Sequence, residues 1–270
     1  MSLVTSSLAG STSKANEDWV GSGNGIYAVL DGATSRTETG CVHGVAWFAE
    51  RLGDAILEFA GDDSISLSDA LAQAILAVAG QHQECDLKHP GSPSAAVAVV
   101  RIREGIEYLV LGDITLVVNE GRAVKAISDQ RVSATARAAR DEADRFPIGA
   151  PEKQAALLRM KAGELAAKNH EGGYWIATSE PSGVPYALTG VLPLAGVREL
   201  AMFTDGAARI VDLFKAEAWP DVLRELQDEG GAASLIHQVR ALEDSDPLGE
   251  RWPRNKKSDD ASILYLPLPS

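Results

Sequence analysis

Cysteine is almost absent from this chain: Cys41 and Cys85 are the only two in 270 residues. Two distant thiols without CxxC spacing are too few for a disulfide framework and give no support to a zinc cluster, so the expected setting is a reducing cytoplasm. Long apolar runs are missing as well. No stretch reaches the 18 or so apolar residues that a membrane span requires, and Met1-Ser2-Leu3-Val4-Thr5-Ser6-Ser7 lacks the basic region and apolar core of an export signal. Positive charge is also scarce. Against 38 acidic residues stand 25 basic ones, and the net charge of −13 repels phosphate backbones and anionic lipid, so neither nucleic acid nor membrane is an expected partner. With no internal repeat, low-complexity tract or dividing linker, residues 1–270 are expected to form a single domain, and a monomer.

What the chain does have is a repeated way of ending strands. Ile26-Tyr27-Ala28-Val29-Leu30 is a run of five apolar residues suited to a strand buried on both faces, and Asp31-Gly32 follows it directly. The pattern returns where Glu199 to Phe203 leads through Thr204 into Asp205-Gly206. An isolated Asp-Gly reads as a hairpin turn, but a hairpin needs a second alternating strand. Here both pairs are followed by apolar residues at helical spacing, in 44–59 and 208–214. The two pairs therefore read as strand ends that hold acids.

Around them the periodicity alternates in blocks. Residues 3–30 read as short strands, 44–59 and 66–78 as amphipathic helices, the second with a capping box at Ser66 and Asp69. Residues 95–127 read as an antiparallel meander broken at Glu104-Gly105 and Glu120-Gly121. Residues 129–168 carry 8 of the 25 basic residues and read as a helical insertion, interrupted at Phe146-Pro147-Ile148-Gly149 and at Gly163. Strands are expected again at 174–178 and 197–204, helix over 221–242, and a closing strand at 260–266.

Asp18 precedes a strand, Asp31 and Asp205 end strands, Asp259 precedes the last strand, and Asp113 in Leu111-Gly112-Asp113 makes a fifth position of this kind. Carboxylates gathered at one end of a sheet repel one another unless a cation neutralises them, and oxygen-only donors favour magnesium or manganese over zinc.

These pieces, in their order, resemble the metal-dependent type 2C (PPM-type) protein phosphatases. The resemblance rests on Asn16-Glu17-Asp18, Ala28-Val29-Leu30-Asp31-Gly32, Gly91-Ser92 before a strand, Leu111-Gly112-Asp113, Phe203-Thr204-Asp205-Gly206 and Asp259-Asp260-Ala261-Ser262. It implies an α+β fold, an antiparallel β-sandwich flanked by helices on both faces in four layers, α-β-β-α. It also implies a centre of two Mn2+ or Mg2+ ions, with a third at a weaker site. Asp31 would bridge both metals, Gly32 would ligate through its carbonyl, and Asp205 and Asp259 would hold one metal. Asp18 and Glu17 would act largely through water, and Asp113 would join Asp205 at the third site. The implied activity is hydrolysis of phosphoserine and phosphothreonine in proteins by water activated between two cations, with no covalent protein nucleophile.

Three positions depart from the family pattern. Ser13 stands where an Arg usually grips phosphate, with Lys14 beside it; Ala33 stands where a His commonly follows Asp-Gly; and Ile114-Thr115 replaces Ser-Arg. Proposed compensations are His43 as proton donor and, for phosphate, Lys14 and the basic run Arg251, Arg254, Lys256 and Lys257. Two other readings stand beside catalysis. One is a phosphatase-like module that binds phosphorylated partners with little or no turnover. The other is an N-terminal nucleophile hydrolase, which leaves the distant acids unexplained.

Overall fold

The computed structural model describes residues 2–35 and 37–269. Strands β1 (Val4–Leu8), β2 (Asp18–Gly23) and β3 (Ile26–Gly32) come first, then helices α1 (Val45–Phe59) and α2 (Leu67–Ala79). Next come β4 (Ala95–Ile102), β5 (Gly105–Leu111), β6 (Thr115–Asn119) and β7 (Val124–Ile127), followed by the helices α3 (Arg131–Ala134), α4 (Arg137–Ala143) and α5 (Pro151–Ala167). The chain finishes with β8 (Leu188–Pro193), β9 (Glu199–Phe203), α6 (Asp205–Asp212), α7 (Trp219–Leu226), α8 (Gly231–Ser245) and β10 (Ala261–Pro267).

The strands form two antiparallel sheets of five, ordered β2-β3-β4-β5-β8 and β1-β10-β9-β6-β7. Apolar residues alternate between two jobs along each strand, as the two-residue repeat requires. In β3, Ile26, Ala28 and Leu30 face α1 and α2, where Phe48, Leu52, Leu71 and Ile75 meet them. Val29 faces the other way, into the layer between the sheets with Val110, Leu116, Met202 and Leu264. On the far side Phe203, Ile263 and Tyr265 pack against α6, α7 and α8. Helices thus cover both outer faces, the expected α+β sandwich. Each fully buried Leu, Ile or Phe contributes about 1.5–3 kcal/mol.

The caps and close approaches follow from sequence. Ser66 Oγ accepts the backbone N–H of Asp69 at 3.0 Å, which closes the first turn of α2 as expected. In α1, a Cβ at Gly53 would lie 2.4 Å from the Trp19 ring, so the helix can rest on β2 only because that residue is glycine.

Four expectations are corrected. The meander over 95–127 is split, with β4 and β5 in one sheet and β6 and β7 in the other. The crossing is at Gly112, whose φ of +89° and whose contact with Ala96 suit glycine. Residues 174–178 form no strand, because Asn169 binds Ile176 at both backbone groups (3.0 and 2.9 Å) and leaves isolated bridges between Ala177 and Ala95 and between Tyr174 and Lys168. Residues 188–193, where no strand is expected, form β8, the edge strand on β5, and its Gly190 and Pro193 conceal a half-exposed alternation. Gly163 does not interrupt α5, and its bare face lets Ala136 approach to 3.0 Å of the Cβ position.

Candidate metal centre in the carboxylate cleft

The antiparallel register sets Asp18 at the start of β2 directly opposite Asp31 at the end of β3, and Asp31 opposite Ala96 of β4. Strand β9 ends beside them. Thr204 donates its hydroxyl to Asp18 Oδ2 at 2.9 Å, and the backbone N–H of Asp205, in the first turn of α6, points at Asp31 Oδ2 at 3.3 Å. Both Asp-Gly glycines are sterically required. A Cβ at Gly32 would meet Glu17 O at 2.6 Å, and one at Gly206 would meet Asp260 O at 1.9 Å. Asp113, on the crossing between the sheets, completes the floor of a cleft of about 380 Å³.

Few cations reach these acids. Burial first, then Asp205, Asp18, Asp113 and Asp259 in turn, hold the Asp31 carboxyl well above the usual carboxylate range. Burial likewise pushes Asp18 up to about 8 and Asp113 up to about 7, with Asp205 adding to both. Asp205 opens to the cleft, yet the protein packed around it and the charge of Asp259 raise it too, as burial raises Glu17. Oδ1 of Asp18 is buried without a hydrogen-bond partner among the described residues. Crowded carboxylates with an orphaned oxygen suit hard divalent cations, which bind such donors and remove their mutual repulsion.

Asp259 is treated differently. Lys256 pairs with its Oδ1 and Arg209 with its Oδ2, the latter at 2.9 Å. Arg209 is itself held by Glu243 at 2.6 Å. Lys256 also donates to Thr34 Oγ1 at 3.0 Å, and Thr34 donates to Glu17 Oε2 at 2.7 Å, so a chain of bonds crosses the mouth of the cleft. Asp260 points away from the cleft and clamps residues 10–17 by accepting N–H from Gly10 and Glu17, each at 2.7 Å.

The Protein phosphatase 2C family profile matches residues 13–243. The chain belongs to the protein phosphatase 2C family. It is a phosphatase-like hydrolase of the metal-dependent serine/threonine class. No curated protein matches the sequence. Among solved structures, PppA of Pseudomonas aeruginosa, described as a key regulatory component of T6SS, is similar at 15% identity and a TM-score of 0.60, over 98% of this chain and 96% of PppA. The Mycobacterium tuberculosis serine/threonine phosphatase PstP/Ppp is similar at 14% identity and 0.60, over 100% and 99%. A catalytic domain of PstP in complex with two manganese ions is similar at 14% and 0.56, over 100% and 98%. These likenesses concern the fold.

Within this 2C fold Asp31, Asp113, Asp205 and Asp259 line the cleft with Asp18 paired to Asp31, and of the expected compensations Arg254 and Lys256 border it while His43 and Lys14 do not. Arg254 is a correction. It is 5% exposed, and its guanidinium is spent on the Asp246 carboxylate at 3.0 Å and on the carbonyls of Glu243, Asp246, Trp252 and Lys257. It fixes the segment before β10 instead of meeting phosphate. His43 is another correction: its ring stacks on Trp47 and faces the two cysteines, outside the residues that line the cleft. Lys14 is exposed and borders a side pocket with Thr34 and Gln154.

Besides Arg254, the cations that line the cleft are Arg140 and Lys161 of the helical segment, together with Lys256 and Arg209. Arg140 donates to Glu164 at 2.9 Å, while its buried Nε has no hydrogen-bond partner among the described residues. Sequence reasoning named Lys256 in the basic run but gave no role to Arg140, Arg209, Thr34 or Thr204. For Arg209 a signal existed: it stands four residues after Asp205, on the same face of α6.

Proposed function

We propose that this chain hydrolyses phosphoserine and phosphothreonine in proteins, using two Mn2+ or Mg2+ ions held in the carboxylate cleft. The observation that supports this most is the convergence of Asp18, Asp31, Asp113 and Asp205 with carboxyls raised by burial and by one another. Asp31 would serve both ions, the Gly32 carbonyl would add a ligand, Asp205 and Asp259 would hold one of them, Asp18 and Glu17 would act largely through water, and Asp113 would join a weaker third. Such ions supply an acidified water and offset phosphoryl charge.

The chain's own residues do the rest. Thr204 fixes one oxygen of Asp18 and leaves the other without a hydrogen-bond partner among the described residues. Arg209 and Lys256 orient Asp259, and charge from Asp259, Asp205 and Asp31 outweighs burial to keep the Lys256 ammonium protonated. With Ser13 unable to form a bidentate bond, the phosphate grip passes to Arg140, which lines the cleft wall and is held there by Glu164. The helical segment 131–167 then acts as the substrate-facing wall of one domain. The substrate is a phosphorylated protein met by a monomer in the cytoplasm; among the described residues no helix is long and apolar enough to cross a membrane.

A second reading, binding without turnover, draws on Asp259, both of whose oxygens are engaged by cations, and on Ala33, which offers no acid to the leaving group. Turnover of a phosphothreonine peptide separates the two. Hydrolysis should require manganese or magnesium, stop with EDTA and disappear in Asp205→Asn. Metal uptake without hydrolysis would favour the binding module, and hydrolysis that persists in EDTA would overturn both.

A further inference from the structure

The segment between β3 and α1 carries Cys41 and His43, and the segment between α2 and β4 carries His82 and Cys85. The fold brings these four side chains together, with their candidate ligand atoms all within 4.8 Å of one another. Cys41 Sγ lies 3.4 Å from Cys85 Sγ, 3.5 Å from His82 Nδ1 and 3.9 Å from His43 Nδ1, and Cys85 Sγ lies 3.5 Å from His43 Nδ1. A tetrahedral zinc ion with bonds of about 2.3 Å to sulfur and about 2.05 Å to nitrogen separates its ligands by about 3.8 Å (S to S) and about 3.6 Å (S to N). The three S-to-N spacings bracket their value, and the S-to-S spacing is about 0.4 Å shorter than its own. Two thiols and two imidazoles are soft and borderline donors that select zinc over the magnesium or manganese suited to the cleft.

We propose that Cys41, His43, His82 and Cys85 form a structural zinc site that staples the segment leaving Asp31-Gly32 to the loop after α2. The sequence concealed it because the ligands come as Cys-x-His and His-x-x-Cys about forty residues apart. The rings are already fixed: His43 stacks on Trp47 with centroids 4.3 Å apart, and His82 meets Trp47 edge-on at 4.7 Å. The loops already touch through Asp86 N–H, which donates to Gly40 O at 2.8 Å. Two thiolates balance the ion's charge, so the complex is neutral and suits a half-buried position, and closure releases both thiol protons.

Metal analysis of the purified full chain tests this independently of phosphatase activity. About one zinc per chain is expected, retained in the double variant Asp31→Asn/Asp205→Asn and lost in Cys41→Ser and in Cys85→Ser. Cobalt added to the reduced, metal-free wild-type chain should give an intense thiolate-to-cobalt charge-transfer band, which keeps the test alive if a serine variant does not fold. Zinc that is lost with the aspartates and kept by the serine variants would overturn the proposal. So would a reduced chain that gives no such band, or a Cys41–Cys85 disulfide whose reduction is followed by no zinc uptake.

Discussion

One short segment joins two clusters of opposite character. At its start Asp31 sits among charged oxygens; at its end Cys41 and His43 sit among neutral sulfur and nitrogen. Among the described residues, the one group of His, Cys, Asp and Glu whose ligand atoms all fall within 4.8 Å is the Cys/His cluster, and the carboxylates stay further apart. Neutral donors can pack before a cation binds because nothing repels them. Charged ones cannot, so the cleft depends on its surroundings: Thr204 on Asp18, Arg209 and Lys256 on Asp259, and the Arg254 network behind them.

Disturbing those surroundings should therefore damage the cleft in graded steps and leave the Cys/His cluster intact. The largest effect is expected at Arg254→Ala, which strands the buried Asp246 charge. Denaturant unfolding should show a loss of about 3–5 kcal/mol, with no change in KM for the protein that remains folded. Arg140→Ala should next cost about 1.5–3 kcal/mol of substrate binding, read as a higher KM for phosphopeptide with kcat held. Thr204→Val frees Asp18 and should weaken manganese affinity about 10- to 100-fold. Zinc content should be the same in all three.

A separate effect is graded with pH. Asp18 and Asp113 have folded values of about 8 and about 7 against an ordinary 3.8, so the folded chain binds more protons than the unfolded one across that interval. Stability of the EDTA-treated chain should then fall as pH rises from about 4 to about 8. Saturating manganese should flatten the melting-temperature profile. A metal-free profile that rises over the same interval would mean that the acids are not crowded.

Legibility in the sequence followed how local each signal was. Apolar runs ending in Asp-Gly, the α1 stripe and the Ser66 cap each occupy a few consecutive residues, and these placed the strands, the helices and the acids. Arg254 was misread because a basic run looks the same whether its guanidinium faces solvent or turns inward onto carbonyls. Strand β8 was hidden by the glycine and proline that an edge position tolerates. The role of Arg140 depends on a helix folding back over the cleft, and the Cys/His cluster on two loops meeting, and neither is written in any short window.

Manganese binding measured by calorimetry, wild type against Asp31→Asn, bears most directly on the carboxylate cleft as a metal centre. Two ions per chain in the wild type, with both bound far more weakly in the variant, are expected from the place of Asp31 among four other carboxylates. Equal stoichiometry and affinity in the two proteins would contradict it.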